Sequence, residues 1–374
     1  MSKILSVCMI IRDSEEILKK TLPNLVRCAD EVIVVDTGSL DNTVKVAQGL
    51  GARVFHFKWA NDFALARNES IKHAEGDWIL WIDADEYVKE EDILKLKEIL
   101  SLSEEDAYNL PLYECKEGEL KGDMFYFRVK VFRNRKGYHF RRAINEQVCD
   151  AQGRYITGKI LSSNISIYHW GGRLDPEKMR RKKERNIEML KAVIAGNEGD
   201  PYYHFLLANN YKDIGQYELA IGEYDRVIQI MPQGELTSHS YTKKAWCFYH
   251  LKKMDEASKN ARKAIELNPF DAGAYNILGI AHAVARRLEE AVKIFEHSKN
   301  LKMPVHAGSM VSLKQYKYFP HYLLGNTYAL MGEKEKAIRH FKKAYEFEPD
   351  EEVRKKIEIL ENASLLQGGK IDGR

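Results

Sequence analysis

The chain has 374 residues, enough for two domains of ordinary size. Apolar residues make up 44% and charged residues 30%, which supports sizeable cores and excludes a mainly disordered chain. Lysine and arginine number 58 against 55 acids, a formal charge of +3, so charge gives no case for nucleic-acid binding.

Residues 4–11 are an apolar run behind a single lysine. Arg12, Asp13, Glu15 and Glu16 follow at once and no small-residue cleavage site does, so the run reads as a buried first strand and not as a signal peptide. No stretch reaches the roughly 18 apolar residues of a membrane span. Ser14 opens an amphipathic helix carrying Ile17, Leu18, Leu22, Leu25 and Val26. A second strand at 31–35 leads into Asp36-Thr37-Gly38-Ser39, and a helix starts at Thr43. A third strand at 53–57, a helix at 63–74 and a fourth strand at 78–82 complete the series, the last running into Asp83-Ala84-Asp85-Glu86. Strands and helices alternating at this spacing predict βαβ units on a parallel sheet, which binds ligands at the C-terminal ends of its strands. The clusters at 12–15, 36–41 and 83–86 all fall at such ends. Further on, Phe125, Phe127, Val129 and Val131 alternate as in an antiparallel or mixed-edge strand, and a short strand at 166–168 precedes His169. The run Arg180, Arg181, Lys182, Lys183, Arg185 reads as a solvated helix face or as a contact for phosphates or a membrane surface.

From Pro201 the pattern repeats. Ala208, Tyr211, Gly215, Ala220, Tyr224 and Pro232 recur at the same offsets as Ala245, Phe248, Ala257, Ala261, Ala264 and Pro269. The register returns as Gly279, His282, Ala291, Phe295 and Ser298, and as Gly325, Tyr328, Gly332, Ala337, Phe341, Ala344 and Pro349. This is the tetratricopeptide pattern of helix–turn–helix units, with small residues where helices cross. The units are expected near 201–234, 238–271, 272–305 and 318–351, with an insertion near 306–316. The domains are then 1–195 and 196–374. The cysteines Cys8, Cys28, Cys115, Cys149 and Cys247 are odd in number and form no C-x-x-C, which argues against a disulfide scaffold or zinc knuckle and fits a cytoplasmic protein.

The sharpest chemical feature is Asp83-x-Asp85 at a strand end. Two carboxylates one residue apart in a turn can face a hard divalent cation and its bound phosphates. A plain acidic surface turn is the alternative, but the apolar strand before the pair, and Asp36 ending another strand beside it, favour the crevice.

V-V-D-T-G-S-x-D (34–41), F-A-L-A-R-N (63–68), G-D-W-I-L-W-I-D-A-D-E (76–86) and I-x-I-Y-H-W-G-G (165–172) together resemble family 2 glycosyltransferases, inverting enzymes of the GT-A fold. With the repeats, the likeness narrows to a subgroup that includes SunS-type peptide S-glycosyltransferases and lipopolysaccharide-core transferases. The resemblance implies an α/β fold: a GT-A nucleotide-sugar domain with a mostly parallel sheet, followed by an all-α tetratricopeptide solenoid. It implies nucleotide-sugar contacts at Ile11, Arg12, Asp36, Gly38, Arg67, Asp83 and Ala84, with Arg67 near Asp36. Asp85 would bind Mn²⁺ or Mg²⁺ and His169 would complete the metal site. The first loop has Asp13-Ser14-Glu15 where the family often has N-E-E. An R-L-F-R-N…H-E-Q segment, which supplies the base in the subgroup, is matched by 131–134 and 144–147. Glu146 is then the candidate base, with Asn145 in place of His; a salt bridge to Arg141 or Arg142 is its structural alternative, and Glu86 is the second candidate.

Transfer of a sugar from a nucleotide-sugar, of the UDP type, to a protein, peptide or glycan acceptor is therefore expected. The repeats would recruit that acceptor or pair two copies of the chain. The competing class is a non-catalytic tetratricopeptide adaptor with a degenerate nucleotide-binding domain. A nucleotidyltransferase would need a glycine-rich phosphate loop, and residues 4–16 hold no glycine.

Overall fold

A computed structural model describes residues 3–120, 122, 124–161, 165–173, 176–196, 199–303 and 310–368. The chain forms two compact units, one of Met1–Met179 with Val305–Val311 and one of Arg180–Pro304 with Ser312–Arg374.

The first unit starts with the expected alternation: β1 (Leu5–Ile11), α1 (Glu15–Cys28), β2 (Glu31–Asp36), α2 (Thr43–Gly49), β3 (Arg53–His56), α3 (Phe63–Lys72) and β4 (Trp78–Asp83). It continues through β5 (Glu86–Val88), α4 (Glu90–Ser101), β6 (Ala107–Glu114), β7 (Met124–Arg133), β8 (His139–Arg141), β9 (Gln147–Cys149), β10 (Lys159–Ile160) and β11 (Ile167–His169). The sheet order is β3-β2-β1-β4-β7-β6-β11-β5. The half from β3 to β4 is parallel throughout, because each crossover carries a helix. β7 runs antiparallel between β4 and β6, so the alternating segment at 125–131 lies inside the sheet and not at its edge. β6 and β11 are again parallel, and β5 closes antiparallel on β11. Strands β5 and β6, which sequence reasoning did not foresee, thus bring His169 beside both the D-x-D turn and Glu114. His169 is itself the last residue of β11.

Strand alternation divides the core between the two faces of the sheet. Val7, Met9, Val34, Leu80 and Ile82 pack on Leu18, Leu22 and Leu25 of α1 and on Ile93, Leu96 and Leu100 of α4. Cys8, Ile33, Ile79, Trp81 and Phe132 pack on Ala64 of α3 and on Phe140 and Val148 of the β8–β9 hairpin. β1 lies between β2 and β4, so the strand order reverses beside it, the place in open α/β sheets where ligands bind at the strand ends.

After α5 (Pro176–Gly196), the second unit is helix pairs: α6 (Pro201–Asp213) with α7 (Tyr217–Ile230), α8 (Glu235–His250) with α9 (Met254–Leu267), and α10 (Ala272–Val284) with α11 (Leu288–Lys299). β12 (Met310–Ser312) and α12 (Leu313–Lys317) are the described part of the expected insertion, whose residues 306–309 lie outside the described residues. The last pair is α13 (Phe319–Leu330) with α14 (Lys334–Phe347), and α15 (Glu351–Gly368) follows. The small residues of the repeat signature sit at the crossings. A Cβ at Gly279 or Gly325 would strike the Phe295 or Phe341 ring respectively. Asp200 and Asp271 cap α6 and α10 by accepting the Tyr202 and Ala274 N–H groups at 2.9 and 3.1 Å. All five cysteines are buried and none forms a disulfide, and among the described residues no helix is long and apolar enough to cross a membrane.

Candidate active site

The crevice is built from three strand ends. At the end of β2, Asp36 is buried and accepts the Gly38 and Ser39 N–H groups, each at 3.1 Å, as well as the Ser39 hydroxyl. Gly38 has φ +106°, a conformation a side chain resists, and a Cβ there would meet nothing within 4 Å. The glycine therefore serves the turn's conformation and leaves space beside Asp36. The first loop is laced to this one. Leu40 N–H donates to Asp13 Oδ1 at 2.7 Å, and Asp13 N–H donates to Ser39 Oγ at 3.0 Å. Arg12 is exposed beside Asp13, its Nε 3.8 Å from Asp13 Oδ2. Ile11 turns its side chain into the core and offers its carbonyl to the Thr37 N–H and hydroxyl, both at 3.0 Å. Its contribution at the crevice is therefore a backbone one.

At the end of β4 the D-A-D-E turn is pinned on every side. Asp83 N–H donates to Glu86 Oε2 at 2.9 Å. The Ala84 carbonyl accepts Thr21 Oγ1 at 2.8 Å, and the Asp85 carbonyl accepts Trp170 N–H at 2.8 Å. The two aspartates then face different partners. Asp83 Oδ1 pairs with Arg67, whose Nε also pairs with Glu146. Burial alone would raise the Asp83 carboxyl, but Arg67, Lys130 and Arg128 outweigh it and hold it well below the usual carboxylate range. Asp85 Oδ2 instead lies 3.3 Å from His169 Nε2. His169 Nδ1 is 2.8 Å from Glu114 Oε2. Burial works against a charge on this imidazole, yet Asp85 and Glu114 dominate and push it up to about 10. A Cβ at Gly171 would collide with Asp85 Oδ2 and come within 3.1 Å of His169 Nε2, so only glycine lets this carboxylate and imidazole meet.

This donor set fits a divalent cation. Asp85 Oδ2 and His169 Nε2 converge, and Glu114 orients the imidazole through its other nitrogen, the arrangement common behind metal-ligating histidines. Two such donors would leave positions on the ion for diphosphate oxygens and water. Among the described residues no group of three or more His, Cys, Asp or Glu converges as a complete metal site.

The two candidate bases are both buried and both paired. Glu146 is 5% exposed; its partner is Arg67, not Arg141 or Arg142, and its carbonyl accepts Arg128 Nη2 at 2.7 Å. The Arg67 guanidinium is thus engaged by Asp83 and Glu146 and not by Asp36. Glu86 is 2% exposed and takes Lys130 Nζ on both oxygens, at 2.7 and 2.6 Å. Beneath these ions lies the Trp81 indole, with Lys130 Nζ 3.6 Å, Arg67 Cζ 4.3 Å and Arg128 Cζ 4.6 Å from its ring centre.

Residues 6–124 match the family model for glycosyl transferase family 2, and residues 242–297 and 318–351 match tetratricopeptide models. The chain carries a family 2 glycosyltransferase domain. The tetratricopeptide repeats follow it. A TPR repeat-containing protein of Synechococcus elongatus is 36% identical over 203 residues, 53% of this chain and 49% of that protein. The prophage-derived glycosyltransferase SunS of Bacillus subtilis is 26% identical over 218 residues, 57% of this chain and 50% of SunS. An uncharacterized glycosyltransferase of Rickettsia typhi is 28% identical over 215 residues, 55% of this chain and 73% of that protein. The chain spans about half the length of the first two relatives. Among solved structures, MamA matches at 21% identity with a TM-score of 0.36, over 46% of this chain and 95% of that one. The family 2 match ends at residue 124, so Lys130, Glu146 and His169 lie beyond it.

Proposed function

We propose that this chain is an inverting glycosyltransferase that moves a sugar from a nucleotide-sugar, of the UDP type, to a protein, peptide or glycan acceptor, in the cytoplasm. The observation that carries the reading is the Asp85–His169–Glu114 line, with the buried Asp36 at the end of β2 in the same parallel half of the sheet as β4 and fixing its turn through the Gly38 N–H. Asp36 would accept hydrogen bonds from the uracil or ribose, with Arg12 and the loop backbone around the base. Asp85 and His169 would hold Mn²⁺ or Mg²⁺, an imidazole ligand favouring Mn²⁺. When bound, the cation offsets charge on the departing diphosphate. The acceptor's nucleophile attacks the anomeric carbon as the bond to the diphosphate oxygen breaks, which inverts the configuration there. Its proton passes to Glu146, which Arg67 holds in place. Glu114 holds the imidazole of His169, and Thr21 and Trp170 hold the turn.

The repeats would present the acceptor, and pairing of two copies through them is the second use we propose. An apolar cavity of about 290 Å³ among Ile280, Val284, Phe295, Leu323 and Leu330 suits the side chain of a bound peptide. The test is a screen of UDP-, GDP- and CDP-sugars for Mn²⁺-dependent hydrolysis by the purified protein. Release of sugar from a UDP donor is expected. Silence across all three nucleotides, with no metal-dependent nucleotide binding, would favour the adaptor reading.

A further inference from the structure

We infer that Lys130 is a positioning residue of the D-x-D site, and that Glu86 is the strut through which it acts. The inference rests on the reading of that site as one for a nucleoside diphosphate and its cation.

The path is continuous and dry. Lys130 is 0% exposed, and its ammonium bonds both Glu86 oxygens, at 2.7 and 2.6 Å. Glu86 Oε2 accepts the Asp83 N–H at 2.9 Å. Lys130 stands on β7 immediately before Val131, where the antiparallel pairing with β4 ends at Leu80, and at the point where the β6–β7 register shifts, so its side chain leaves the sheet beside the strand leading into the turn. Glu86 is the first residue of β5 and sits in register with His169 of β11. One buried ion pair therefore ties the strand before the turn to the strand after it and to the strand carrying the imidazole. The Trp81 face 3.6 Å from Nζ limits where the ammonium can go. The carboxylate is used fully: both oxygens meet Lys130, and Oε2 also meets a backbone amide. It holds the turn closed and is not turned outward to take a proton from an acceptor.

Chemistry explains why an ion pair and not an apolar pair stands here. Asp83 and Asp85 crowd two carboxylates into three residues, and Glu86 adds a third. A buried cation behind Glu86 balances that charge where water cannot, while Arg67 does the same for Asp83. Without Lys130 the Glu86 carboxylate is buried with no counter-charge, its grip on the Asp83 amide changes, and Asp85 loses its setting against His169.

Outer partners of metal ligands typically matter by 10–100-fold in metal affinity or activity. The experiment is a cycle of Lys130→Met, Glu86→Gln and the double variant in the full chain, with three readings: Mn²⁺-dependent UDP binding by calorimetry, the kcat and KM of donor hydrolysis, and the unfolding temperature. Lys130→Met is expected to weaken UDP·Mn²⁺ binding about 10–100-fold and raise KM. Glu86→Gln alone strands the lysine and is expected to weaken binding similarly. The double variant, a neutral pair of similar shape that keeps an acceptor for the Asp83 N–H, is expected to recover most of the binding and most of kcat. A Glu86 that is instead the base gives a kcat loss in both Glu86 variants that Lys130→Met does not relieve, and that overturns the inference. So does a Lys130→Met protein that binds UDP·Mn²⁺ as tightly as wild type. If the single variants fail to fold, the double variant decides: wild-type-like binding supports the strut, and a folded protein without binding refutes it. Wild-type protein that binds no UDP with Mn²⁺ overturns the reading of the site itself, a result distinct from either.

Discussion

The two units solve the problem of a packed interior in opposite ways. The sheet unit buries charge: Asp36, Arg67, Glu86, Lys130 and Glu146 are each at most 5% exposed, and all but Asp36 are held by partners far away in sequence. The repeat unit buries almost none. Its crossings are made of Ala208, Ala220, Ala245, Ala261, Ala291 and Ala337, and of Gly279 and Gly325 under phenylalanine rings. Buried charge costs desolvation and returns a fixed geometry, which a reaction site needs. Small neutral residues return close helix approach, which a stack of repeats needs and which tolerates repetition.

The contrast breaks most visibly at Asp85. Asp85→Ala is expected to abolish transfer, a loss of at least about 10³-fold, and to weaken Mn²⁺-dependent UDP binding, because one ligand oxygen and its charge go. Wild-type turnover in that variant would show the carboxylate is ordinary surface charge. Next in size is Glu146→Gln. The amide still accepts from Arg67 but cannot take a proton, so kcat should fall about 10²–10⁴-fold with donor affinity kept. A fall in donor affinity with kcat intact would make Glu146 a structural partner of Arg67 instead.

In the repeats, Gly325→Ala drives a methyl into the Phe341 ring, and a loss of about 1–3 kcal/mol is expected from overpacking despite alanine's better helix propensity. Donor hydrolysis should not change; a parallel loss of hydrolysis would show that the repeats and the reaction site are not separable. The smallest effect is a pH-dependent one. His340 packs against His321, their Nδ1 atoms 3.0 Å apart, and burial and then His321 hold it down to about 4. In the unfolded chain a histidine takes its proton near 6.5. Between about 6.5 and 4 the unfolded state binds the proton that the folded state refuses, so the repeats should lose about 1–2 kcal/mol on acidification over that window. In the sheet unit, burial would raise Glu31, but Lys3, Ser6 and the Glu75 N–H bring it down to about 2. Its contribution is present above about 4.5 and disappears only as pH falls towards 2. Hydrogen exchange across a pH series should therefore show the α13–α14 pair loosening before the sheet; the reverse order would refute the assignment.

Legibility follows the same division. The repeat signature was readable because the small-aromatic register recurs along the chain, whereas α12 and α15 carry none of it. Strands β1 to β4 were readable as apolar runs, and Asp36, Asp85 and His169 as polar residues at or next to strand ends. Glu114 was not, since nothing local marks it: it reaches His169, 55 residues on, only through the β6–β11 register. Lys130 was hidden as one charged position in the strand after residue 124, and its partner Glu86 lies 44 residues before it. Glu86 looked catalytic because it adjoins the D-x-D pair, and only the fold shows that a lysine stands behind it. Arg67 was placed near the nucleotide by resemblance, but its two carboxylates come from segments 16 and 79 residues away.

The five cysteines are all buried and leave the folded chain with no exposed thiol, and burial pushes Cys8 up to about 12 and Cys247 up to about 11, further from reactivity. A cysteine placed at Leu40, 91% exposed on the loop after Asp36, would then be the one thiol that a maleimide dye reaches. Nucleotide arrival at that loop could be followed by fluorescence without replacing any of the native cysteines.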